Sequence, residues 1–156
     1  MKIAIGSDER THLTDFVVHY LQAQEHEVLL FGPLAEDDPD GDWPLVSSHV
    51  AAAVASGQAD QGVLFCWTGT GASIAANKVP GVRAALVHDA ETARGARIWN
   101  HANVLTLSLR STPVGVAKEI LDAWFSTPIV EGEAVSEWNL TQIARVTAIE
   151  NRYRGA

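Results

Sequence analysis

The residue that most directly suggests chemistry is Cys66, the only cysteine of the chain. It ends the apolar run Gln61–Cys66, which predicts a buried strand, and it stands directly before a glycine-rich segment that opens a helix. A thiol at a strand end that faces a helix N-terminus has its thiolate favoured by the helix dipole and the amide donors. Such a group acts as a base or a nucleophile. The alternative is a buried core cysteine, which is the commoner fate of a lone cysteine.

The segment after Cys66 has the composition of a loop that binds an oxyanion or a phosphate. Its glycines let the backbone bend closely around an anion, and its hydroxyls add to the free N–H groups of the next helix. It lacks the Gly-Lys-Ser/Thr ending of a Walker loop and the GxGxxG pattern of a dinucleotide site. The residues concerned are Thr68, Gly69, Thr70, Gly71 and Ser73.

Two acids, Asp8 and Glu9, follow the first predicted strand. They form either a paired-carboxylate site or the N-cap and first-turn acids of the next helix. Among the six histidines, His88 and His101 lie near strand ends and are candidates for acid–base chemistry. None has a metalloenzyme spacing such as HExxH, so we predict neither a metal nor a cofactor.

Four of the five tryptophans lie in or beside predicted loops. Several indole rings at the rim of a site indicate a flat apolar wall, of the kind that stacks against a sugar face. The alternative, for one or two of them, is a place in the core. The four are Trp43, Trp67, Trp99 and Trp138.

The elements that must position these residues follow from alternating apolar runs and helical patterns. Continuous apolar runs are typical of parallel strands covered on both faces, and their alternation with helices predicts an α/β fold with an open, doubly wound sheet. Ligands of such sheets bind beyond the carboxyl ends of the strands. The predicted strands are Lys2–Gly6, Glu27–Phe31, Gln61–Cys66, Arg83–Val87 and Val104–Leu107; the predicted helices are Leu13–Gln24, Pro44–Ser56, Thr92–Trp99, Val114–Phe125 and Leu140–Arg152.

Length and charge bound the possibilities further. The chain has 156 residues and a net charge of −8, which predicts one acidic globular domain over residues 1–156. The acidic balance argues against a nucleic-acid or membrane-surface partner. No stretch approaches the roughly 18 apolar residues of a membrane span, and residues 1–6 do not resemble a signal sequence. We therefore expect a soluble, cytoplasmic protein.

Two breaks interrupt the pattern, an exposed loop at Ala35–Asp42 and a second break at Ser126–Glu137. Beyond them, residues 138–156 form a helical arm whose leucine, valine and isoleucine side chains make one apolar stripe. The stripe either docks on its own domain or lies across a symmetric partner.

Several segments together resemble the ribose-5-phosphate isomerase B / galactose-6-phosphate isomerase family. The resemblance implies a Rossmann-like three-layer sandwich with a five-stranded parallel sheet, and an aldose–ketose isomerase that needs no metal or nucleotide. The matching segments are Gly6-Ser7-Asp8, Asp42-Trp43-Pro44, Cys66-x-Thr68-Gly69-x-Gly71, the block from Ser73 to Ala84, and Asn103-Val104-Leu105.

The same resemblance implies roles for individual residues. Cys66 would be the base that moves a proton between C1 and C2, and the loop Trp67–Gly71 would hold the enediolate oxygen. Asp8 and Asn100 would contact sugar hydroxyls. The working unit would be a homodimer or tetramer, with sites at the subunit interface and the terminal helix reaching the neighbour.

This chain departs from the family pattern mostly by losing positive charge. Glu9 replaces a histidine, Trp99 replaces the histidine that opens the sugar ring, and terminal arginines align with Trp138 and Gln142, whereas Arg110 keeps an arginine position. Losing each charge-assisted contact weakens phosphate binding by about 1.5–3 kcal/mol. We therefore predict a substrate preference different from ribose 5-phosphate.

Two further substitutions, Trp43 for a tyrosine and Trp67 for a glycine, enlarge the apolar walls. His101 is the candidate to open the ring in place of the missing histidine. The alternatives to an isomerase are a catalytically silent sugar-binding or regulatory member, and a structural subunit that needs a different family member to complete its site.

Overall fold

The computed structural model describes residues 1–38, 40–129 and 136–154. Its five strands form one parallel sheet in the order β2-β1-β3-β5-β4, with helices on both faces, which confirms the predicted three-layer α/β fold. The strands are β1 (Lys2–Ser7), β2 (Glu27–Phe31), β3 (Gln61–Cys66), β4 (Ala84–Leu86) and β5 (Val104–Ser108); the helices are α1 (His12–Ala23), α2 (Trp43–Ala55), α3 (Thr70–Ala76), α4 (Ala90–Asn100), α5 (Val114–Ser126) and α6 (Glu137–Tyr153).

The two faces of the sheet bury separate apolar clusters. One face packs against α1, α4 and α5, around side chains such as Phe65 and Trp124. The other packs against α2 and α3, around small side chains such as Ala72 and Ala76. Because every residue of β3 is buried, this central strand appears in the sequence as an unbroken apolar run after Gln61, whose side-chain oxygen accepts a hydrogen bond from Trp124 Nε1 at 2.6 Å.

Two glycines let α2 lie close against the middle of the sheet. A Cβ atom on Gly6 would come within 2.6 Å of Val50 Cγ2 and 2.8 Å of Val46 Cγ1. One on Gly62 would meet Val50 Cγ1 at 3.0 Å. This close packing determines where the first residue of α2, Trp43, stands above the sheet.

The strand register brings the ends of β1, β3 and β5 to one edge. Ser7 is paired with Phe65, and Cys66 with Ser108, so the chain leaves all three strands at nearly the same level. The strand order reverses between β1 and β3, which is where ligands bind in open parallel sheets. The structure therefore assembles its candidate site from the residues that follow these strands.

The caps of two helices correct the predicted boundaries. Thr11, rather than Asp8 or Glu9, caps α1: its hydroxyl accepts from the Thr14 N–H, and Thr14 Oγ1 accepts from the Thr11 N–H. Helix α4 begins at Ala90, earlier than predicted, because the Asp89 carboxylate accepts from the Thr92 N–H at 2.7 Å. Of the two interpretations of the acids after β1, capping is therefore wrong.

Other predicted boundaries changed little. Strand β4 is shorter at both ends than predicted, and α2 ends just before Gly57, which adopts a left-handed φ of +75°. The predicted break at Ser126–Glu137 falls largely on residues 130–135, which lie outside the described residues. In the part of the chain that is described, no helix has the length and apolarity to cross a membrane.

Helix α6 docks on its own chain along one side only. The Asn139 amide donates to the Ile98 carbonyl at 3.2 Å, and Arg83 donates to the Thr147 hydroxyl at 2.7 Å. Its apolar stripe is split: Ile143 is buried, whereas the side chains of Val146 and Ile149 are exposed. Both interpretations of the arm thus keep support, and the partner contact stays a prediction.

The turn from β3 into α3 requires a glycine. Gly69 has φ +78°, and a Cβ atom there would lie 2.5 Å from Leu86 Cδ1 and 3.1 Å from the Leu107 carbonyl carbon. A side chain at this position would push the turn away from β4 and β5.

We expect Gly69→Ala to lower the free energy of unfolding by about 2–5 kcal/mol, from left-handed strain plus overpacking. The matched control is Gly57→Ala, which has a similar φ of +75° but open space around the new methyl group. The control should lose only about 1–2 kcal/mol. Urea unfolding of both variants measures the difference, and equal losses would show that the packing contact is unimportant.

Candidate active site

Hydrogen bonds pin the chain where it leaves β3. The Leu109 N–H donates to the Cys66 carbonyl and the Arg110 N–H to the Trp67 carbonyl, both at 3.0 Å. The Ser108 hydroxyl adds a second donor to the Trp67 carbonyl at 2.9 Å. These bonds continue the β3–β5 pairing past the end of the strand and fix the backbone on either side of the Cys66 thiol.

Cys66 is only 6% exposed, yet it lines an open cavity of about 260 Å³. Cys66 belongs to the apolar cluster that contains the small side chains of α3, and it also lines the cavity. The core and site interpretations of this cysteine are therefore compatible. The residues around the cavity are Asp8, Trp43, Cys66, Trp67, Thr68, Thr70 and Gly71.

The start of α3 supplies amide donors beside Cys66. The first hydrogen bond within the helix runs from the Ser73 N–H to the Gly69 carbonyl at 3.1 Å. The N–H groups of Thr70 and Gly71 precede it and so have no partner within the helix. The hydroxyls of Thr68 and Thr70 bond to each other at 2.7 Å. Two amide donors and two hydroxyls that bond to each other therefore border the cavity where an oxyanion would form.

Two tryptophans form walls of this cavity. The Trp43 ring lies over Gly71, so closely that a Cβ atom there would be 3.2 Å from Cε3 and Cζ3 of the ring. Trp67 is 60% exposed, although its backbone carbonyl accepts hydrogen bonds from two donors. A fixed backbone therefore carries an exposed indole ring. This arrangement is able to stack against the apolar face of a sugar.

Asp8 contributes a carboxyl group whose Oδ1 is buried without a hydrogen-bond partner. Burial raises the pKa of Asp8 above its ordinary value, and the negative charge of Glu9 raises that pKa further, against the lowering effect of its own backbone N–H. Glu9 itself is exposed and its side chain does not line the cavity; its backbone carbonyl accepts from the Ser7 hydroxyl at 2.6 Å.

Several predicted site residues lie away from Cys66 within one chain. Helix α4 ends at the edge of the sheet where β5 begins, so Trp99, Asn100 and His101 stand on the edge opposite the thiol. Trp99 and Asn100 line a different cavity of about 360 Å³, beside α6. Ser73 is also turned away, because its hydroxyl donates to the Ala84 carbonyl at 3.4 Å.

Two other predicted positions do not line the cavity. Arg110 is exposed and adjoins the loop through its N–H bond to Trp67, and His88 is exposed after β4. The sequence interpretation missed Ser108, which tethers the Trp67 carbonyl. A hydroxyl residue that ends an otherwise apolar strand was the available signal. Among the described residues, no group of three or more His, Cys, Asp or Glu is arranged to hold a metal ion.

Comparison with known proteins bears directly on this arrangement. Residues 3–141 match the Ribose/Galactose Isomerase family. The chain belongs to this family. Ribose-5-phosphate isomerase B of Escherichia coli is 36% identical to it over 152 residues, which cover 97% of each protein. D-erythrulose-4-phosphate isomerase of Pectobacterium atrosepticum is 37% identical over 136 residues, covering 85% of this chain and 87% of that protein.

A solved structure of ribose-5-phosphate isomerase B from Clostridium thermocellum has the same fold, with a TM-score of 0.86 at 36% identity, covering 98% of this chain and 99% of that one. Relatives and structural neighbours in the family are sugar-phosphate isomerases, which are intramolecular oxidoreductases. The protein is therefore an enzyme of this class.

The raised pKa of Asp8 predicts a pH-dependent effect on stability. The folded protein holds the Asp8 proton to a higher pH than the unfolded chain, whose pKa is about 3.9. Between the two values the folded state binds more protons, so the free energy of unfolding falls as pH rises. We expect Asp8→Asn to unfold at a higher temperature than the parent at about pH 7, with the advantage shrinking towards about pH 4.

Thermal melts of parent and variant across this range measure the effect. A variant that is less stable at neutral pH, or a difference that does not change with pH, would contradict the assignment of an unfavourable buried charge.

Proposed function

We propose that the protein is an aldose–ketose isomerase that moves a proton between C1 and C2 of a sugar or sugar phosphate, with Cys66 as the base. The observation that carries this proposal is a cysteine that lines a cavity together with Thr70 and Gly71, whose N–H groups have no partner within α3. The family relationship supports the coarser statement, since relatives are named as sugar-phosphate isomerases.

The proposed step needs no external oxidant. The Cys66 thiolate removes the proton from C2 of the open-chain aldose, and the C–H electron pair forms the C1–C2 double bond while O1 becomes an oxyanion. The N–H groups of Thr70 and Gly71 stabilise this cis-enediolate, with the Thr68 hydroxyl beside them. Return of the proton to C1, with transfer of the O2 hydroxyl proton to O1, gives the ketose.

The substrate preference is proposed to differ from ribose 5-phosphate. The residues that line the cavity include an acid, Asp8, and neither lysine nor arginine, and Glu9 is exposed next to it. Arg10, two residues after Asp8, donates to Asp15, and Arg110 adjoins the loop through its N–H bond to the Trp67 carbonyl. A phosphate dianion is stabilised most by hydrogen bonds from positively charged groups. The residues around this cavity therefore favour a substrate that has no phosphate or whose phosphate binds elsewhere.

The site is proposed to be completed by a second copy in a homodimer or tetramer. One chain places Asp8 and Cys66 at the carboxyl edge of the sheet, whereas Asn100 and His101 lie at the other edge. A neighbouring copy would bring Trp99, Asn100 and His101 to this cavity, and the exposed stripe of α6 is the surface that would reach it. The cytoplasmic location and metal independence expected from the sequence stay predictions.

We expect Cys66→Ser to lose essentially all exchange of the substrate C2 proton with deuterium, because a hydroxyl is too weak an acid to supply the base. Binding should be nearly intact, since serine keeps the shape of cysteine. Proton NMR in deuterium oxide measures exchange at C2 of the aldoses D-ribose 5-phosphate and D-ribose, and at C1 of the ketose D-erythrulose 4-phosphate. Ligand-induced thermal shifts measure binding.

Unchanged exchange in Cys66→Ser would remove the cysteine mechanism. Exchange of ribose 5-phosphate by the parent protein at the rate of the other sugars or faster would contradict the altered preference alone. Binding by the parent without exchange of any sugar would indicate a silent sugar-binding protein.

The composite site predicts complementation between inactive variants. Asn100→Ala and Cys66→Ser should each be inactive, but subunit exchange should recover about a quarter of parental activity, since half of the dimers are mixed and each holds one intact site. The matched control mixes Cys66→Ser with Asp8→Asn, whose defects share one cavity, and should recover nothing. Full activity of Asn100→Ala alone would place that residue outside the site.

A further inference from the structure

Asp8 has a buried carboxyl oxygen for which the fold supplies no partner. Thr11 caps the helix that follows, and the nearest arginine along the chain, Arg10, donates to Asp15 at 2.8 Å. Asp8 Oδ1 is buried and receives no hydrogen bond, although the residue lines the cavity with Cys66. A buried polar group without a partner costs stability, so its presence at the cavity indicates a partner that arrives with the substrate.

The chemistry of a carboxyl group fits a step that must precede isomerisation. A cyclic aldose has no carbonyl, and the ring opens only when the ring oxygen gains a proton and the O1 hydroxyl loses one. A protonated carboxyl carries a donor on one oxygen and an acceptor on the other, and can serve both atoms at once.

We propose that Asp8 opens the ring of a cyclic aldose substrate. Its protonated oxygen gives a proton to the ring oxygen as the bond from C1 to that oxygen breaks, and the bonding pair stays on the ring oxygen. Its other oxygen takes the proton of the O1 hydroxyl, whose electrons form the C1 carbonyl. The carboxyl ends as it began, with one proton, and the open-chain aldose remains beside Cys66. The role rests on the proposed isomerase function, which uses that product.

Other groups around the cavity are less suited to this task. The hydroxyls of Thr68 and Thr70 are hydrogen-bonded to each other. Cys66 already has the proposed role of moving the proton between C1 and C2. None of the cavity residues of one chain is a histidine. His101, the sequence-based candidate for ring opening, lies at the opposite edge of the sheet and would reach this cavity only from the proposed neighbouring copy. Asp8 is thus the acid that one chain itself places at the cavity.

The surroundings of Asp8 favour its protonated form. Burial and the charge of Glu9 both raise its pKa, so the carboxyl keeps its proton at a higher pH than an exposed aspartate does. Around the cavity, Glu9 on the same loop and Cys66 on β3 are the titratable neighbours, whereas the lining residues from α2 and α3 are uncharged. A thiolate at Cys66 would favour the same form.

The test uses ring opening alone, in full-length protein that cannot isomerise. In Cys66→Ser protein, two-dimensional exchange NMR follows interconversion of the α and β anomers of D-ribose 5-phosphate and D-galactose 6-phosphate. We expect Cys66→Ser protein to accelerate this exchange, relative to the sugar without protein, for at least one of the two sugars. In the double variant Cys66→Ser/Asp8→Asn the acceleration should be about 100-fold smaller at saturating sugar. The matched control adds Asp60→Asn, at the other edge of the sheet, where asparagine can still accept the Lys2 N–H, and should change nothing.

Several results would overturn the proposal. The first is that Cys66→Ser protein accelerates anomer exchange of neither sugar. The second is that the exchange rate does not fall when Asp8→Asn is added. The third is a fall in rate that disappears once sugar binding is saturated, which would make Asp8 a binding residue only. Loss in Cys66→Ser/His101→Ala, with Asp8→Asn without effect, would assign ring opening to the histidine. Exchange of the C2 proton by the parent protein tests the isomerase function separately, so the two failures are distinguishable.

Discussion

The geometry of the site depends on hydrogen bonds that extend the β3–β5 pairing beyond the last residue of β3. The carbonyls of Cys66 and Trp67 accept hydrogen bonds from the N–H groups of the two residues after β5 and from the hydroxyl of Ser108, the last residue of β5. Each such bond contributes about 1 kcal/mol, yet together they leave the backbone one path into the turn at Gly69. The thiol, the free amides of α3 and the exposed Trp67 ring therefore hold fixed relative positions, as oxyanion stabilisation requires.

The site also carries a cost that the fold does not relieve. Asp8 is half-buried with an unpaired oxygen and a raised pKa, next to the negative charge of Glu9. A fold selected only for stability would supply a cation here, or a neutral side chain. The same features raise the pKa of a carboxyl group that lines the cavity of Cys66 and so favour its protonated form. The unfavourable interaction and the proposed chemistry therefore have one physical source.

The helix direction explains why one chain holds only part of the predicted site. In a parallel sheet each connecting helix runs against the strands, so α4 begins at the edge that carries Cys66 and ends at the other. Asn100 and His101 are on that far end, beside the half-exposed stripe of α6. A second copy is the simplest way to bring both edges together, which links the exposed apolar surface to the catalytic proposal.

Local patterns in the sequence were sufficient for the fold class and for half of the site. Burial on both sheet faces requires continuous apolar strands, so all five strands were predictable, and the glycines after Cys66 indicated a turn around an anion. Contacts between distant segments were not predictable: the Trp43 ring over Gly71, the Ser108 tether and the missing partner of Asp8 arise only when separate strands and helices meet. The sequence determined which groups are present, and the tertiary structure decided which of them meet, because register and helix packing act between residues far apart in the chain.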